Sequence, residues 1–251
     1  MRSATPGIRR RAFPLGRAAA AAVVGVAVLV ALVVALTRGG GGTPPPRGLA
    51  ASATVSEVLG LRPGDRVTLV EGEPVVGAEV LRAAETARAE VLSEYTRYGL
   101  TLGPGFWDRA HAGVTPRRAL RDRAVRAAVL DKVRRVWARE AGLLADVSEQ
   151  GFQRELAEEN ARRARAAREG RPLPGVPSYD EHTYAGVRAA ELDSALSKVH
   201  AATLELSERR LREQYRLMAG RGAPPFERVR DNVRQALVAE EYRKALRARA
   251  G

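Results

Sequence analysis

The feature that most restricts how this chain can fold is an uninterrupted apolar run near its N-terminus. Residues 18–36 are 19 in number and carry no charged or strongly polar side chain. As an α-helix, a run of this length spans about 28 Å, close to the roughly 30 Å of a bilayer's hydrocarbon core. The sequence therefore predicts a transmembrane helix at residues 18–36, separate from the folded part of the chain.

The arginines around this run predict its orientation. Five arginines precede the run and two follow it, and residues 1–47 contain no acidic residue. Basic flanks stay on the cytoplasmic side. We therefore expect residues 1–17 to form a cytoplasmic basic segment, and the rest of the chain to lie on the outer face of the cell membrane as a single-pass protein. A cleaved signal peptide is the alternative, although its apolar region is normally about 7–15 residues.

Charge and cysteine content exclude several classes of function. The net charge is +13, but all 29 acidic residues and only 35 of the 42 basic residues lie after residue 47. That part is of mixed sign, without the basic stripe and interleaved aromatic residues typical of nucleic-acid binding. The chain has no cysteine, which excludes a disulfide framework, a cysteine-ligated metal and a thiol nucleophile.

A glycine- and proline-rich stretch follows the apolar run. It reads "TRGGGGTPPPRGLAASAT", with four consecutive glycines and three consecutive prolines. Such a sequence has no apolar face to bury, so residues 37–64 are predicted to be a linker. A phosphate-binding loop at residues 39–42 is excluded, because no strand precedes the glycines and no Lys-Ser/Thr pair follows them.

The remaining residues, 65–251, are predicted to form one helical domain that begins with a short β-hairpin. In "VTLVEGEPVV", Gly72 can supply the positive φ of a tight turn between two runs of β-forming residues. Apolar residues at three- and four-residue steps then predict helices, with residues 158–168 solvated. The predicted helices cover about residues 78–98, 115–141, 148–168, 180–202 and 207–218, and a last one opens at Pro224-Pro225.

The residues that usually carry catalysis are scattered. His111, His182 and His200 are isolated in the sequence, and no nucleophile elbow or zinc-binding HExxH pattern occurs. Adjacent acidic pairs such as Glu158-Glu159 point to different sides of a helix. The sequence therefore predicts no catalytic residue, no metal site and no cofactor.

The stretch "VEGEPVVGAEV" resembles the start of the SurA N-terminal domain, which is shared by SurA-type and PrsA-type extracytoplasmic foldases. Their usual pattern, V-N-G-x-x-I-[TS]-x-x-[ED]-[LF], leads into a helix. Glu71 stands where the family usually has asparagine. The matching positions are Val70, Gly72, Glu73, Pro74, Val75 and Glu79.

The resemblance continues along residues 65–248 in the order of the motifs. Residues 115–143, 206–216 and 224–246 resemble the family's central helix and the helices on either side of its parvulin isomerase domain. Between Tyr215 and Pro225, where the family inserts that domain, this chain has only "RLMAGRGAP". The resemblance thus implies a mainly α, SurA-like chaperone domain at residues 65–251, closed by its C-terminal helix and lacking a site for prolyl isomerisation.

The function that this implies is a membrane-anchored extracytoplasmic holdase or foldase. Its partners would be unfolded or newly exported polypeptides, bound through exposed apolar surface. One alternative is a non-chaperone interaction module of the cell envelope, and another is a member of the peptidyl-prolyl isomerase family. The candidate client contacts are Tyr95, Tyr98, Leu100, Phe106, Trp107 and Met218.

Overall fold

The computed structural model describes residues 48–220 and 222–251. Within them lie seven α-helices and one two-stranded antiparallel sheet, which confirms the prediction of a mainly helical chain. A single 3₁₀ turn, Phe106–Asp108, lies between the second and third helices. The elements are α1 (Val55–Leu59), β1 (Arg66–Val70), β2 (Glu73–Val76), α2 (Gly77–Arg97), α3 (Pro116–Glu140), α4 (Glu149–Arg168), α5 (Glu181–Ala201), α6 (Glu208–Met218) and α7 (Phe226–Arg249).

The predicted fold class needs a correction in its membrane-spanning part. Across the described ranges, no helix has both the length and the apolar character to cross a membrane. The longest of them, α3 and α7, carry charged residues throughout, as helices do when only one face is buried. The fold class is therefore a helical domain with one hairpin. The predicted helix at residues 18–36 and the basic segment 1–17 lie outside the described residues.

The β-hairpin is built by a two-residue turn. Val70 pairs with Glu73, so Glu71 and Gly72 alone connect the strands. Their φ angles are 49° and 84°, and two positive φ angles are the mark of a type I′ turn. Gly72 supplies a positive φ as predicted and adopts it without steric cost, whereas Glu71 adopts it despite its side chain.

The last helix closes the domain against this turn. The Arg249 guanidinium, at the end of α7, donates to the carboxylate of Glu71 at 3.1 Å and to that of Glu140 at 2.8 Å. Tyr242 and Leu246 of α7 are buried in the same core as the hairpin. The first strands and the last helix of the domain are therefore in direct contact.

The prediction of a linker at residues 37–64 is wrong for residues 48–64, which are the part of it that the structure describes. Thr54 and Glu57 form a reciprocal capping box at the start of α1, and Val58 in that helix is fully buried. The Trp107 indole Nε1 donates to the carbonyl of Ala50 at 2.9 Å. A helix of five residues is too short to show a periodic pattern of apolar residues, so the sequence did not predict it. Its burial depends on partners distant in the sequence.

The main core lies between α2 and α3. Val80 and Val91 of α2 pack against Leu120 and Val133 of α3. The helix α5 adds Leu196 to the same core. A separate cluster joins α6 to the first half of α7, through Leu211, Phe226, Val233 and Leu237.

The second half of α4 is less solvated than predicted. Arg163 and Ala166 are buried, because the proline-rich segment after α4 folds back along the helix. Arg163 Nε donates to the carbonyl of Val176 at 2.9 Å, and one of its terminal nitrogens donates to the carbonyl of Pro174 at 2.6 Å. The Arg163 guanidinium also lies 4.3 Å from the centre of the Tyr179 ring.

Because the chain is closely packed at the start of α2, one methyl group added at Gly77 should strongly lower the stability of the domain. A Cβ on Gly77 would lie 1.9 Å from the carbonyl oxygen of Arg62, so we expect Gly77→Ala to lower the free energy of unfolding by about 2 kcal/mol or more. Gly186→Ala is the matched control, since a Cβ there meets no atom within 4 Å. The control should gain roughly 0.5–1 kcal/mol. Urea denaturation of both variants tests this, and equal stabilities would contradict it.

Candidate binding groove

A groove lies between α2, α3 and the first half of α5. Its volume is about 770 Å³. The floor consists of four alanines, Ala83, Ala87, Ala127 and Ala128, and the α5 side is formed by residues such as Ala185 and Val187. The space exists because α2 and α3 carry only small side chains here, at the edge of the main core, to which Ala128 belongs and against which Ala83 and Ala87 pack.

Charged side chains of both signs surround the alanine floor. Glu90, Arg123, Arg126, Asp131 and His182 all line the groove. Arg123 is ion-paired with Glu94, and Asp131 lies 2.7 Å from Arg134. A second depression of about 550 Å³ shares Glu90 and Arg123 with the first, so the concave surface continues along α2.

A buried ion pair lies at one end of the groove. Lys132 Nζ is 2.8 Å from Glu79 Oε1, and their side chains are only 1% and 8% exposed. Lys132 also donates to the carbonyl of Val147 at 2.9 Å. The other oxygen of Glu79 accepts from the Val76 N–H at 2.8 Å, which caps α2. Burial raises the pKa of the Glu79 carboxyl, and the hydrogen bond from Lys132 opposes that rise.

The start of α4 is also fixed by polar groups. Asp146 accepts from the Ser148 N–H at 2.8 Å, and Ser148 Oγ accepts from the Gly151 N–H at 3.0 Å. The side chain and N–H of Ser148 lower the pKa of Asp146 to about 2. A Cβ on Gly151 would lie 2.7 Å from the carboxyl carbon of Asp146, so glycine is required for this close approach.

Charged pairs then connect α4 to α2, α3 and α5. Arg82 of α2 is bonded to Glu149, and Arg135 of α3 lies 2.9 Å from Glu155. Glu155 also accepts from Arg188 of α5 at 2.9 Å. Three buried atoms of this region have no hydrogen-bond partner among the described residues, namely Arg82 Nε, Arg135 Nε and Glu149 Oε2.

The structure brings some of the predicted client contacts together but buries three of the six. The rings of Tyr95 and Tyr98 have centres 5.8 Å apart. Tyr95, Phe106 and Trp107 are 3%, 0% and 0% exposed, so their assignment to an exposed surface is corrected. Gly105 has a φ of 75° and begins the turn that carries Phe106 and Trp107 into the core.

The other three predicted contacts differ in exposure. Tyr98 and Met218 are exposed, while Leu100 is half-buried against the core. Their role in client binding stays a prediction. None of the six predicted contact residues lines the groove. Sequence reasoning missed the groove, because alanine occurs throughout the chain and its four alanines do not stand out from the others.

The three histidines occupy unrelated places. His182 Nδ1 lies 3.2 Å from Thr86 Oγ1 at the groove, His111 stacks on Tyr98, and His200 contacts Trp137. Within the described part of the chain, no group of three or more His, Asp or Glu side chains is arranged to hold a metal ion.

Comparisons with known proteins do not assign the chain to a family. No family model matches the chain, and neither the curated proteins nor the solved structures give a significant match. The resemblance to the SurA N-terminal domain therefore stays a prediction.

The buried ion pair predicts a large and pH-dependent loss of stability when one partner is removed. Lys132→Met leaves Glu79 buried without its cation, which should cost about 3–5 kcal/mol. Loss of Lys132 raises the folded-state pKa of Glu79 further, so the variant should be most stable at low pH and lose stability as the pH rises through that pKa.

The double variant Glu79→Gln/Lys132→Met is the control for this prediction. It retains a cap for the Val76 N–H and has no uncompensated charge, so it should be more stable than Lys132→Met at neutral pH. Guanidinium denaturation at pH 5 and pH 8 measures both effects. A Lys132→Met variant as stable as the parent protein would show that the pair is not structural.

Proposed function

We propose that the described domain binds unfolded polypeptide segments in the groove between α2, α3 and α5, and that it acts as a holdase-type chaperone without isomerase chemistry. The observation that carries this proposal is the combination of an alanine floor and a rim of both charge signs around a groove of about 770 Å³. That volume falls within the roughly 300–1,000 Å³ typical of ligand-binding pockets.

The chemistry of the groove suits ligands of many sequences. Apolar side chains gain about 25 cal/mol for each Å² that they remove from water, whatever their identity. The alanine floor presents methyl groups and no side-chain hydrogen-bonding group, so it favours no single sequence. Rim residues such as Glu90 and Arg126 are suited to flanking residues of either sign.

Exposed apolar residues at the end of α6 support the same proposal. Leu217 is 82% exposed and Met218 is 51% exposed. They lie beyond the apolar cluster that joins α6 to α7. In the resembled family this is the place where the isomerase domain is inserted. Met218 thus remains a candidate contact for a client segment.

A non-chaperone interaction module is the second candidate, and a compact surface patch favours it. Tyr98 is exposed and stacks on His111 with ring centres 4.2 Å apart. His111 and the exposed Val114 exchange two backbone hydrogen bonds of 3.0 Å. A patch of this small size and fixed geometry suits one folded partner better than it suits many unfolded segments.

Filling the groove should weaken the binding of unfolded polypeptides. Ala127→Trp places an indole over the alanine floor from an exposed position, so we expect the affinity for an unfolded polypeptide to fall about tenfold or more. The measurement is the fluorescence anisotropy of a fluorescein-labelled, reduced and carboxymethylated globular protein, titrated with the full chain.

Ala164→Trp provides the matched control for this experiment, because Ala164 is exposed on α4 and does not line the groove. It should bind like the parent protein. If Ala127→Trp binds as well as the control, the groove is not the binding site. If the parent protein binds no unfolded chain but Tyr98→Ala disrupts a complex with a folded partner, the interaction-module function is the correct one.

A further inference from the structure

We propose that α4 and the first half of α5, residues 149–190, form a movable wall of the groove that shifts onto α2 when a segment binds. The inference rests on the proposed function for the identity of the bound segment. It concerns the regulation of the same groove, through a change in its width.

The apolar contacts divide at the middle of α5. Phe152 and Leu156 of α4 pack with Tyr184 of α5 in a cluster of their own. Leu192 and Leu196, further along α5, belong to the main core. The wall therefore has its own apolar cluster, and only the second half of α5 is anchored in the main core.

Polar contacts hold the wall against the rest of the domain. Arg82 is bonded to Glu149, and Arg135 lies 2.9 Å from Glu155. His182 Nδ1 lies 3.2 Å from Thr86 Oγ1. Long charged side chains can keep such bonds through a small displacement of the helices, whereas a close-packed apolar core resists one.

One of these pairs is incomplete, and the proposed movement would complete it. A terminal nitrogen of Arg82 donates to Glu149 Oε1, whereas Arg82 Nε and Glu149 Oε2 are buried without a partner. Nε and a terminal nitrogen together match the two oxygens of a carboxylate, which makes two parallel hydrogen bonds. A small shift of Glu149 relative to Arg82 would therefore satisfy both unpaired atoms at once.

That shift would change the groove. Phe152 lies one turn after Glu149 in α4 and packs on Tyr184 of α5, with ring centres 5.5 Å apart. His182 and Ala185, on either side of Tyr184, line the groove opposite Thr86 of α2. In the proposed movement, Glu149 closes onto Arg82, the α5 side moves with it toward α2, and the groove narrows around a bound segment.

Distance measurements with two spin labels can test the wall, because the chain has no native cysteine to compete for labelling. Thr96→Cys on α2 and Ala161→Cys on α4 place both labels at exposed positions. Double electron–electron resonance is recorded on the full chain, alone and with the carboxymethylated unfolded polypeptide. We expect two distances in the free protein and enrichment of one of them with the polypeptide.

Arg82→Lys tests whether the bond between Arg82 and Glu149 stabilises the second position of the wall, since lysine cannot form the two parallel hydrogen bonds. It should reduce the population of the second distance by about fivefold. Arg88→Lys is the matched control on the same helix, because Arg88 bonds the carbonyl of Ala51 and not the wall. The control should leave both populations unchanged.

The outcomes separate this inference from the proposed function. One narrow distance, identical in the free, bound and Arg82→Lys samples, would overturn the movable wall even if the polypeptide binds. Two distances in the free protein that respond to Arg82→Lys support the wall even if no polypeptide binds, in which case the proposed function alone fails.

Discussion

The ion pair between Lys132 and Glu79 is the interaction on which the arrangement of the first helices depends. The Lys132 ammonium bonds Glu79 in the first turn of α2 and the carbonyl of Val147 just before α4. A charge this deeply buried is tolerated only when its partners are in place. It therefore holds the start of α2 and the segment before α4 against α3, and Glu79 also lines the groove.

Local chemistry explains what could be predicted from the sequence. Thr115, Ser148, Asp180 and Ser207 each cap a helix at its expected start, because a side-chain oxygen accepts from a backbone N–H three residues later. The hairpin turn was likewise predictable from Gly72. These features need only neighbours in the chain, so a single sequence reveals them.

Partners distant in the sequence explain what could not be predicted. Trp107 is bonded to the carbonyl of Ala50, 57 positions earlier, and Arg163 is buried by a loop that follows its helix. The groove is harder still, because it arises where Ala83 and Ala127 leave space unfilled. Alanine is common in this chain and favours helix everywhere, so nothing in the sequence marks the four alanines that matter.

The bond between Glu71 and Arg249 has a consequence for the order in which the domain folds. It joins residues 178 positions apart. Loop-closure entropy must be overcome before such a distant contact forms. During synthesis on the ribosome, the hairpin emerges well before α7, so their contact forms late. The domain therefore reaches its final packing only after α7 has been made.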